Sequence, residues 1–262
     1  MSRKEFITLI YQQEKKVKVF HASIFLALIL LFANTTHAAQ IQLKGNNPNL
    51  VAVEFSGEIQ PADFDALRRL IEPRLSATNS FRWVHLNSNG GDVATAMKIG
   101  RYIRTLEFDT SIATNARCLS SCVFIFAAGL ERNTATNNIG IHRPFGASVG
   151  SVSREDATKN YREMTTRIYD YFNEMNVPRS LPELMLRIPP EEMKMLTFDE
   201  SVQFGLNVKD PVAQEMDDSA NAKRYGITRV EYLARRKRAL NMCNSSSADF
   251  VNCYEAILKG QR

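Results

Sequence analysis

The sequence is poor in the side chains that bind metal ions. It has four histidines and four cysteines in 262 residues, and no two cysteines form a Cys-x-x-Cys pair. Only His85 and His142 lie after position 39. Protein metal sites need several such ligands at defined spacing. The sequence therefore predicts no metal site, and no pattern in it indicates another cofactor.

A strong charge imbalance and a long apolar run are also absent. The formal net charge is +5, but residues 1–38 carry five basic and two acidic side chains, which leaves about +2 for the rest. Such a mild balance gives no electrostatic reason to expect a nucleic-acid partner. The mostly apolar run Ala22–Ala33 has 12 residues, whereas a membrane-spanning helix needs about 20. The run is therefore short for a transmembrane helix.

The same run sits in an N-terminal segment with the layout of a secretory signal peptide. Three lysines precede it, and the small and polar residues Asn34–Ala39 follow it. A basic region, a short apolar region and a small-residue cleavage site are the three parts of such a peptide. The sequence predicts a signal peptide over residues 1–39, cleaved after Ala38 or Ala39, and a periplasmic mature protein. An uncleaved N-terminal membrane anchor is the alternative.

All four cysteines lie in the predicted mature chain. An even number of cysteines in an exported protein favours disulfide bonds. Proximity in the sequence favours Cys118–Cys122 and Cys243–Cys253, although four cysteines allow three pairings. Two side chains four residues apart at a helix start are about 6 Å apart, which a disulfide can span. Buried free thiols at Cys118 and Cys122 are the alternative.

Strand-like and helix-like segments alternate between residues 50 and 142. Short apolar runs predict strands at Leu50–Phe55, Trp83–Leu86, Thr110–Thr114 and Ile139–His142. Apolar residues at helical spacing predict helices at Pro61–Arg74, Val93–Leu106 and Ser120–Ala128. Such alternation forms repeated βαβ units around a buried, mostly parallel sheet. The predicted fold class is therefore α/β.

The rest of the chain is mainly helical in pattern. Helices are predicted at Ser153–Met175, Leu181–Leu186, Thr197–Phe204 and Thr228–Met242, and a polar loop at 212–225. The chain therefore divides into a signal peptide over 1–39, an α/β domain over 40–210 and a helical C-terminal extension over 211–262. A Cys243–Cys253 disulfide would cross-link that extension.

One apolar stripe runs along the longest predicted helix. Its members recur at intervals of three and four residues: Tyr161, Met164, Ile168, Tyr171 and Met175. Such a stripe is covered either by the core of its own chain or by another subunit. A domain of this size has limited core to cover it, so we expect a homo-oligomer with Tyr161–Met175 in the contact.

Three short motifs lie where predicted strands end or a predicted helix begins: Gly90-Gly91, Ser120 and His142. Acyl transfer needs backbone N–H donors for an oxyanion, a hydroxyl nucleophile and an imidazole base. Each motif alone has a simpler explanation, as a turn, a helix N-cap and a core histidine. Parallel strands would bring all three to one edge of the sheet, where α/β proteins bind ligands.

Together these motifs resemble the ClpP/crotonase-like superfamily, chiefly the Clp protease proteolytic subunit and more loosely signal peptide peptidase A. Residues 87–91, Asn-Ser-Asn-Gly-Gly, are similar to the family's Asn-Ser-Pro-Gly-Gly, and Ile141–Pro144 to its Ile-His-Gln-Pro. Ser120 stands nine residues before Gly129, as the family's nucleophile does. Thr197–Leu206 resembles the segment that closes the family's domain, and the likeness covers roughly residues 50–208.

The resemblance implies roles for individual residues. Ser120 would be the nucleophile and His142 the general base, with the backbone N–H groups of Gly91 and Ser121 as the oxyanion hole. Ser121 is also the rival nucleophile, although the spacing to Gly129 favours Ser120.

The third member of the family's triad is missing. The family's aspartate position falls near Pro189, which cannot orient an imidazole. Glu191 and Glu192 are close in sequence, but nothing in the sequence connects either to His142. Loss of an orienting group lowers the rate without abolishing the rest of a site.

The implied function is an exported Clp-type serine peptidase that cleaves peptides or unfolded segments. No ATPase partner is expected, because export removes the protein from ATP. The alternative is a catalytically weak or inactive oligomeric binding protein on the same scaffold. An acyl-CoA enzyme of the crotonase type is a third possibility, disfavoured because CoA is not expected outside the cytoplasm.

Overall fold

The computed structural model describes residues 39–44, 49–76, 81–134, 137–145 and 153–261. Nearly all of the predicted signal peptide, residues 1–38, lies outside the described residues and stays a prediction. None of the helices within the described ranges is both long and apolar enough to cross a membrane.

A branched sheet lies at the centre of the described residues. Its eight strands there are β1 Gln40–Leu43, β2 Leu50–Ile59, β3 Phe81–Gly91, β4 Asp109–Ile112, β5 Cys118–Leu119, β6 Arg132–Thr134, β7 Ile139–Ile141 and β8 Lys194–Met195. Parallel pairs join β2 to β3, β3 to β4, β3 to β5, β4 to β6 and β5 to β7. Only the outer pairs, β1 with β2 and β7 with β8, are antiparallel within the described part.

The branch arises from the length of β3. Its first half pairs with β4 through Trp83–His85, and Ser88 further along pairs with Cys118 of β5. The carboxyl ends of β3, β5 and β7 are therefore neighbours at one edge of the sheet. The predicted α/β class with a mostly parallel sheet is confirmed.

Nine helices are described. They are α1 Asp63–Ile71, α2 Val93–Thr105, α3 Cys122–Ala127, α4 Arg154–Glu174, α5 Ser180–Arg187, α6 Phe198–Gln203, α7 Pro211–Arg224, α8 Arg229–Met242 and α9 Phe250–Leu258. Side-chain caps begin several of them: Asp92 caps α2, Ser153 caps α4 and Thr197 forms a capping box with Glu200 on α6. These caps satisfy N–H groups that have no partner inside the helix.

The predicted loop over residues 212–225 is wrong, because this segment forms α7. The Asp210 carboxylate accepts hydrogen bonds from the N–H groups of Val212 and Ala213, and Pro211 occupies the first helical position. Both features favour a helix start. The helix buries only small or polar side chains, so it has no apolar stripe to reveal it.

The apolar stripe on α4 belongs mainly to the core of its own chain. Ile168 and Tyr171 are fully buried and Met175 nearly so, whereas Tyr161 keeps 43% of its surface exposed. The Tyr171 hydroxyl donates to the Phe124 carbonyl of α3 at 2.6 Å. The predicted subunit contact is therefore wrong for the C-terminal half of the stripe, which the chain covers itself.

A buried ion pair fastens the start of α7 to the sheet. The fully buried Arg132 guanidinium lies 3.3 Å from Asp210 and donates to the carbonyls of Gly129, Met175 and Gly205. Burial lowers the pKa of Arg132 to about 10, against the opposing effect of Asp210. A buried charge is tolerated when it is paired and hydrogen-bonded as fully as this one.

Candidate active site

Gly90 and Gly91 end β3 beside the turn that carries Ser120. Their φ angles are +101° and +142°, a region that favours glycine. A Cβ atom on Gly90 would lie 2.8 Å from the Ser120 Cβ and 3.0 Å from the Ser121 nitrogen. A Cβ atom on Gly91 would collide with the Ile59 carbonyl of β2. Both glycines therefore permit a backbone approach that no other residue allows.

Ser120 and Ser121 form the turn between β5 and α3. The conformation of Ser120 is unusual. Its φ angle is +55°, in the left-handed region that non-glycine residues avoid. Such a conformation costs about 1–3 kcal/mol and is concentrated at functional sites. The predicted helix Ser120–Ala128 in fact begins at Cys122, and Ser121 occupies the cap position without making a side-chain cap bond. The simple N-cap explanation of Ser120 therefore fails.

His142 follows β7 directly and faces Ser120. Its Nε2 atom lies 2.7 Å from the Ser120 Oγ atom, a hydrogen-bond distance. The imidazole is buried, with 6% of its surface exposed. Burial lowers the pKa of His142 below its ordinary value, and a nearby backbone group of Arg143 offsets part of that shift. The shift favours the neutral ring, which is the form that accepts a proton.

The backbone of Gly91 lies beside Ser121, next to the serine turn. The Asp92 N–H donates to the Ile59 carbonyl at 2.8 Å, so strand alternation turns the Gly91 peptide groups away from β2. The Ser121 hydroxyl donates to the Gly91 carbonyl at 3.0 Å, which places Gly91 and Ser121 side by side. The Ser121 N–H makes no hydrogen bond to the described part of the chain. The arrangement suits a pair of oxyanion donors.

The same contacts separate the two adjacent serines. The Ser121 residue is fully buried, and its hydroxyl is engaged with Gly91. Ser120 is partly exposed, and its hydroxyl faces His142. Geometry therefore favours Ser120 over Ser121 as the nucleophile, in agreement with the spacing to Gly129.

Among the described residues, no carboxylate is hydrogen-bonded to the histidine ring. The Nδ1 atom of His142 is buried and has no hydrogen-bond partner among the described residues. Glu191 and Glu192 are both exposed, and neither is hydrogen-bonded to Nδ1. The Arg143 N–H donates to the Ile188 carbonyl at 2.9 Å, so the segment leading into Pro189 does run beside the histidine. The residue at position 189 is a proline, which carries no carboxylate.

Two disulfides are formed, and they are the pairs favoured by the sequence. Cys118–Cys122 spans the Ser120 turn with a Cα–Cα distance of 5.2 Å. Cys243–Cys253 joins the end of α8 to α9 with a Cα–Cα distance of 5.8 Å. The described residues contain no free cysteine.

The family comparison agrees with this geometry. The family model described as Clp protease matches residues 76–210, a span from the loop before β3 to the cap of α7. The chain belongs to the Clp protease family. A search of curated proteins finds no match. The matched span contains the glycine pair, the serine, the histidine and the Cys118–Cys122 bridge of this Clp family protein.

Sequence reasoning missed one group of residues near the site. Gly140, two positions before His142, lies against the Leu119 side chain and the Met193 and Met195 sulfur atoms, which a Cβ would meet at 2.6–2.9 Å. Both methionines keep about 40% of their surface exposed. They belong to the two-residue strand β8 and its lead-in, which are too short to give a periodic signal. The flanks of the site in this Clp family protein are therefore apolar.

Proposed function

We propose that this Clp family protein is an exported serine peptidase that works with a Ser120–His142 dyad. The observation that carries the proposal is the 2.7 Å separation of the Ser120 Oγ and His142 Nε2 atoms. The strained turn at Ser120 and the Gly91–Ser121 backbone pair support it. Peptide bonds in peptides or unfolded segments are the proposed substrates.

The proposed reaction proceeds through an acyl-enzyme. The Ser120 Oγ attacks the peptide carbonyl carbon as its proton passes to Nε2 of His142. The N–H groups of Gly91 and Ser121 donate to the oxyanion of the tetrahedral intermediate. His142 then gives its proton to the leaving amine and the C–N bond breaks. Water, deprotonated by His142, hydrolyses the ester and restores the serine.

The unpartnered Nδ1 atom predicts a slow enzyme. Replacing the orienting aspartate of a Ser-His-Asp triad lowers kcat by about 10⁴-fold. The same observation supports the second candidate function, an inactive oligomeric protein that binds peptides on the same scaffold. Detectable turnover separates the two candidates.

Export is proposed from the sequence of residues 1–39 and is supported by the two disulfides, which persist in oxidising compartments. The periplasm is the proposed location, reached with the signal peptide removed or kept as an anchor. No ATPase partner is proposed, because ATP is not expected there.

A homo-oligomer is proposed as well. Clp protease family members generally form homo-oligomers and act on peptide substrates. Residues 153–163, at the start of α4, are all exposed. This segment is the first half of the 21-residue helix α4, whose second half packs on the core of its own chain. A contact with another copy would cover it, with Tyr161 as the aromatic residue in that contact.

Hydrolysis of fluorescently labelled casein by the purified mature protein tests the proposal. Slow release of fluorescence is expected for the wild type, and none for Ser120→Ala. Ser219→Ala is the matched control, because Ser219 is an exposed serine on α7. Equal turnover by Ser120→Ala and the wild type would rule out the Ser120 mechanism. Absence of turnover in both would favour the binding protein.

A further inference from the structure

The Cys118–Cys122 disulfide closes a loop in which Ser120 is the middle residue. Cys118 is the first residue of β5, and Cys122 is the first residue of α3. Both side chains are fully buried in the main apolar core. The bridge therefore links the strand before the serine covalently to the helix after it, on the core side of the site.

The elements on either side of Ser120 are short. β5 has two residues and α3 has six. The Cys118 N–H donates to the Asn138 carbonyl and the Ser120 N–H to the Gly140 carbonyl, so hydrogen bonds to the β7 segment hold the chain as far as the serine. The φ angle of Ser120 is +55°, which is unfavourable for an L-residue, so an unrestrained Ser120 would adopt a negative φ. The disulfide is the covalent restraint across that residue.

The histidine side of the pair has no covalent restraint. Nδ1 of His142 has no hydrogen-bond partner among the described residues, and the ring is held by burial and by its contact with Phe145. The disulfide therefore adds, on the serine side, a restraint that the histidine side lacks.

We propose that the Cys118–Cys122 disulfide is a positioning element that holds Ser120 in its strained turn against His142. This inference rests on the proposed function. Without the bridge, Ser120 relaxes toward negative φ and its Oγ moves away from Nε2. A displacement of about 1 Å costs as much as about 100-fold in rate. The loss falls on bond formation rather than on binding of the substrate.

Saturation kinetics of a fluorophosphonate probe separate an effect on bond formation from an effect on binding of the probe. The maximal inactivation rate constant and the half-saturation concentration are measured for the mature wild type, Ser120→Ala and the double variant Cys118→Ala/Cys122→Ala. The matched control is Cys243→Ala/Cys253→Ala, which removes the disulfide of the C-terminal extension. Circular dichroism and thermal unfolding report whether each variant is folded.

The expected result is a fall of about 10- to 100-fold in the maximal rate constant of Cys118→Ala/Cys122→Ala, with an unchanged half-saturation concentration. The control pair keeps the wild-type rate. An undiminished rate, or a change in half-saturation alone, would overturn the positioning role and leave the proposed function standing. Wild-type labelling that does not depend on Ser120 would instead overturn the proposed function, and this inference with it.

A second variant guards against failure to fold. Cys118→Val/Cys122→Ala restores apolar volume at a buried position while still removing the bridge. The same fall in the maximal rate constant is expected for it. Loss of folding in both variants would make the disulfide a folding requirement and would contradict the positioning role.

Discussion

The Ser120 N–H donates to the Gly140 carbonyl at 2.9 Å, and this bond ties the serine turn to β7, the strand that His142 directly follows. Nucleophile and base therefore depend on the register of two adjacent parallel strands, β5 and β7. Backbone pairing brings the two residues together, and the Cys118–Cys122 bridge restrains the turn that carries the serine. Variants that disturb this edge of the sheet should change activity more than stability.

The first such variant is Gly90→Ala. Its new Cβ would press on the Ser120 Cβ and the Ser121 nitrogen, so the serine turn must shift. We expect activity to fall about 100-fold, since small displacements at a reacting centre are that costly. Gly226→Ala is the control, because Gly226 also has positive φ but a Cβ there meets nothing within 4 Å. It should lose about 1–2 kcal/mol of stability and no activity. Equal activity losses in both variants would contradict the prediction.

The pH dependence of probe labelling follows from the burial of His142. The base must be neutral, so the rate falls as the pH drops through the His142 pKa. Since burial lowers that pKa from 6.5, the midpoint of the acid limb should lie below pH 6.5, and the rate at pH 6.5 should exceed half of its plateau value. Stability changes in the same direction, because protonation is harder in the folded state than in the unfolded chain. A midpoint above 6.5 in the labelling profile would contradict this account of the base.

A carboxylate introduced at Pro189 should supply the missing orienting group. The Arg143 N–H bond to the Ile188 carbonyl keeps this segment beside the histidine, and Nδ1 has no partner in the described part. We expect Pro189→Asp to raise kcat by about tenfold or more, with KM little changed. Pro189→Ala, which removes the ring without adding an acid, serves as the comparison. Equal rates for the two variants would show that an acid at position 189 does not reach the imidazole.

The oligomer prediction now concerns Tyr161 rather than the whole stripe. Light scattering of the mature wild type should give a mass well above that of one chain. Tyr161→Glu should lower that mass while the circular dichroism spectrum stays the same, because Tyr161 is 43% exposed. Tyr161→Phe should keep the wild-type mass.

The buried half of the stripe should respond differently. Ile168→Glu should unfold the protein, since Ile168 is fully buried. A monomeric wild type at micromolar concentration would refute the oligomer.

The sequence predicted those helices and strands in which apolar residues recur at a regular spacing. The helices α2, α4 and α8 carry apolar positions at regular spacing and lie within one residue of their predicted ends. The strands β2 and β3 were also predicted, but they run four and five residues beyond the predicted ends. Strands of two or three residues, such as β5, β6 and β8, are too short to show alternation. α7 buries no large apolar side chain, so composition favoured a loop there.

The candidate site could be predicted as a set of residues but not as a geometry. The motifs Gly90-Gly91, Ser120 and His142 could be read from the sequence, because parallel strands bring their carboxyl ends together. The positive φ of Ser120 could not, since no local composition demands it. The stripe on α4 revealed a buried face, but periodicity alone does not say whether the covering surface belongs to the same chain.

The most direct test of the central claim is to map the fluorophosphonate adduct on the mature protein by peptide mass spectrometry. The account predicts a single adduct on Ser120, with none on the neighbouring Ser121. We also expect that His142→Gln, which keeps a polar side chain of similar size but removes the base, strongly slows the reaction. An adduct on Ser121 or on any other residue, or equally fast labelling of His142→Gln, would contradict the Ser120–His142 dyad.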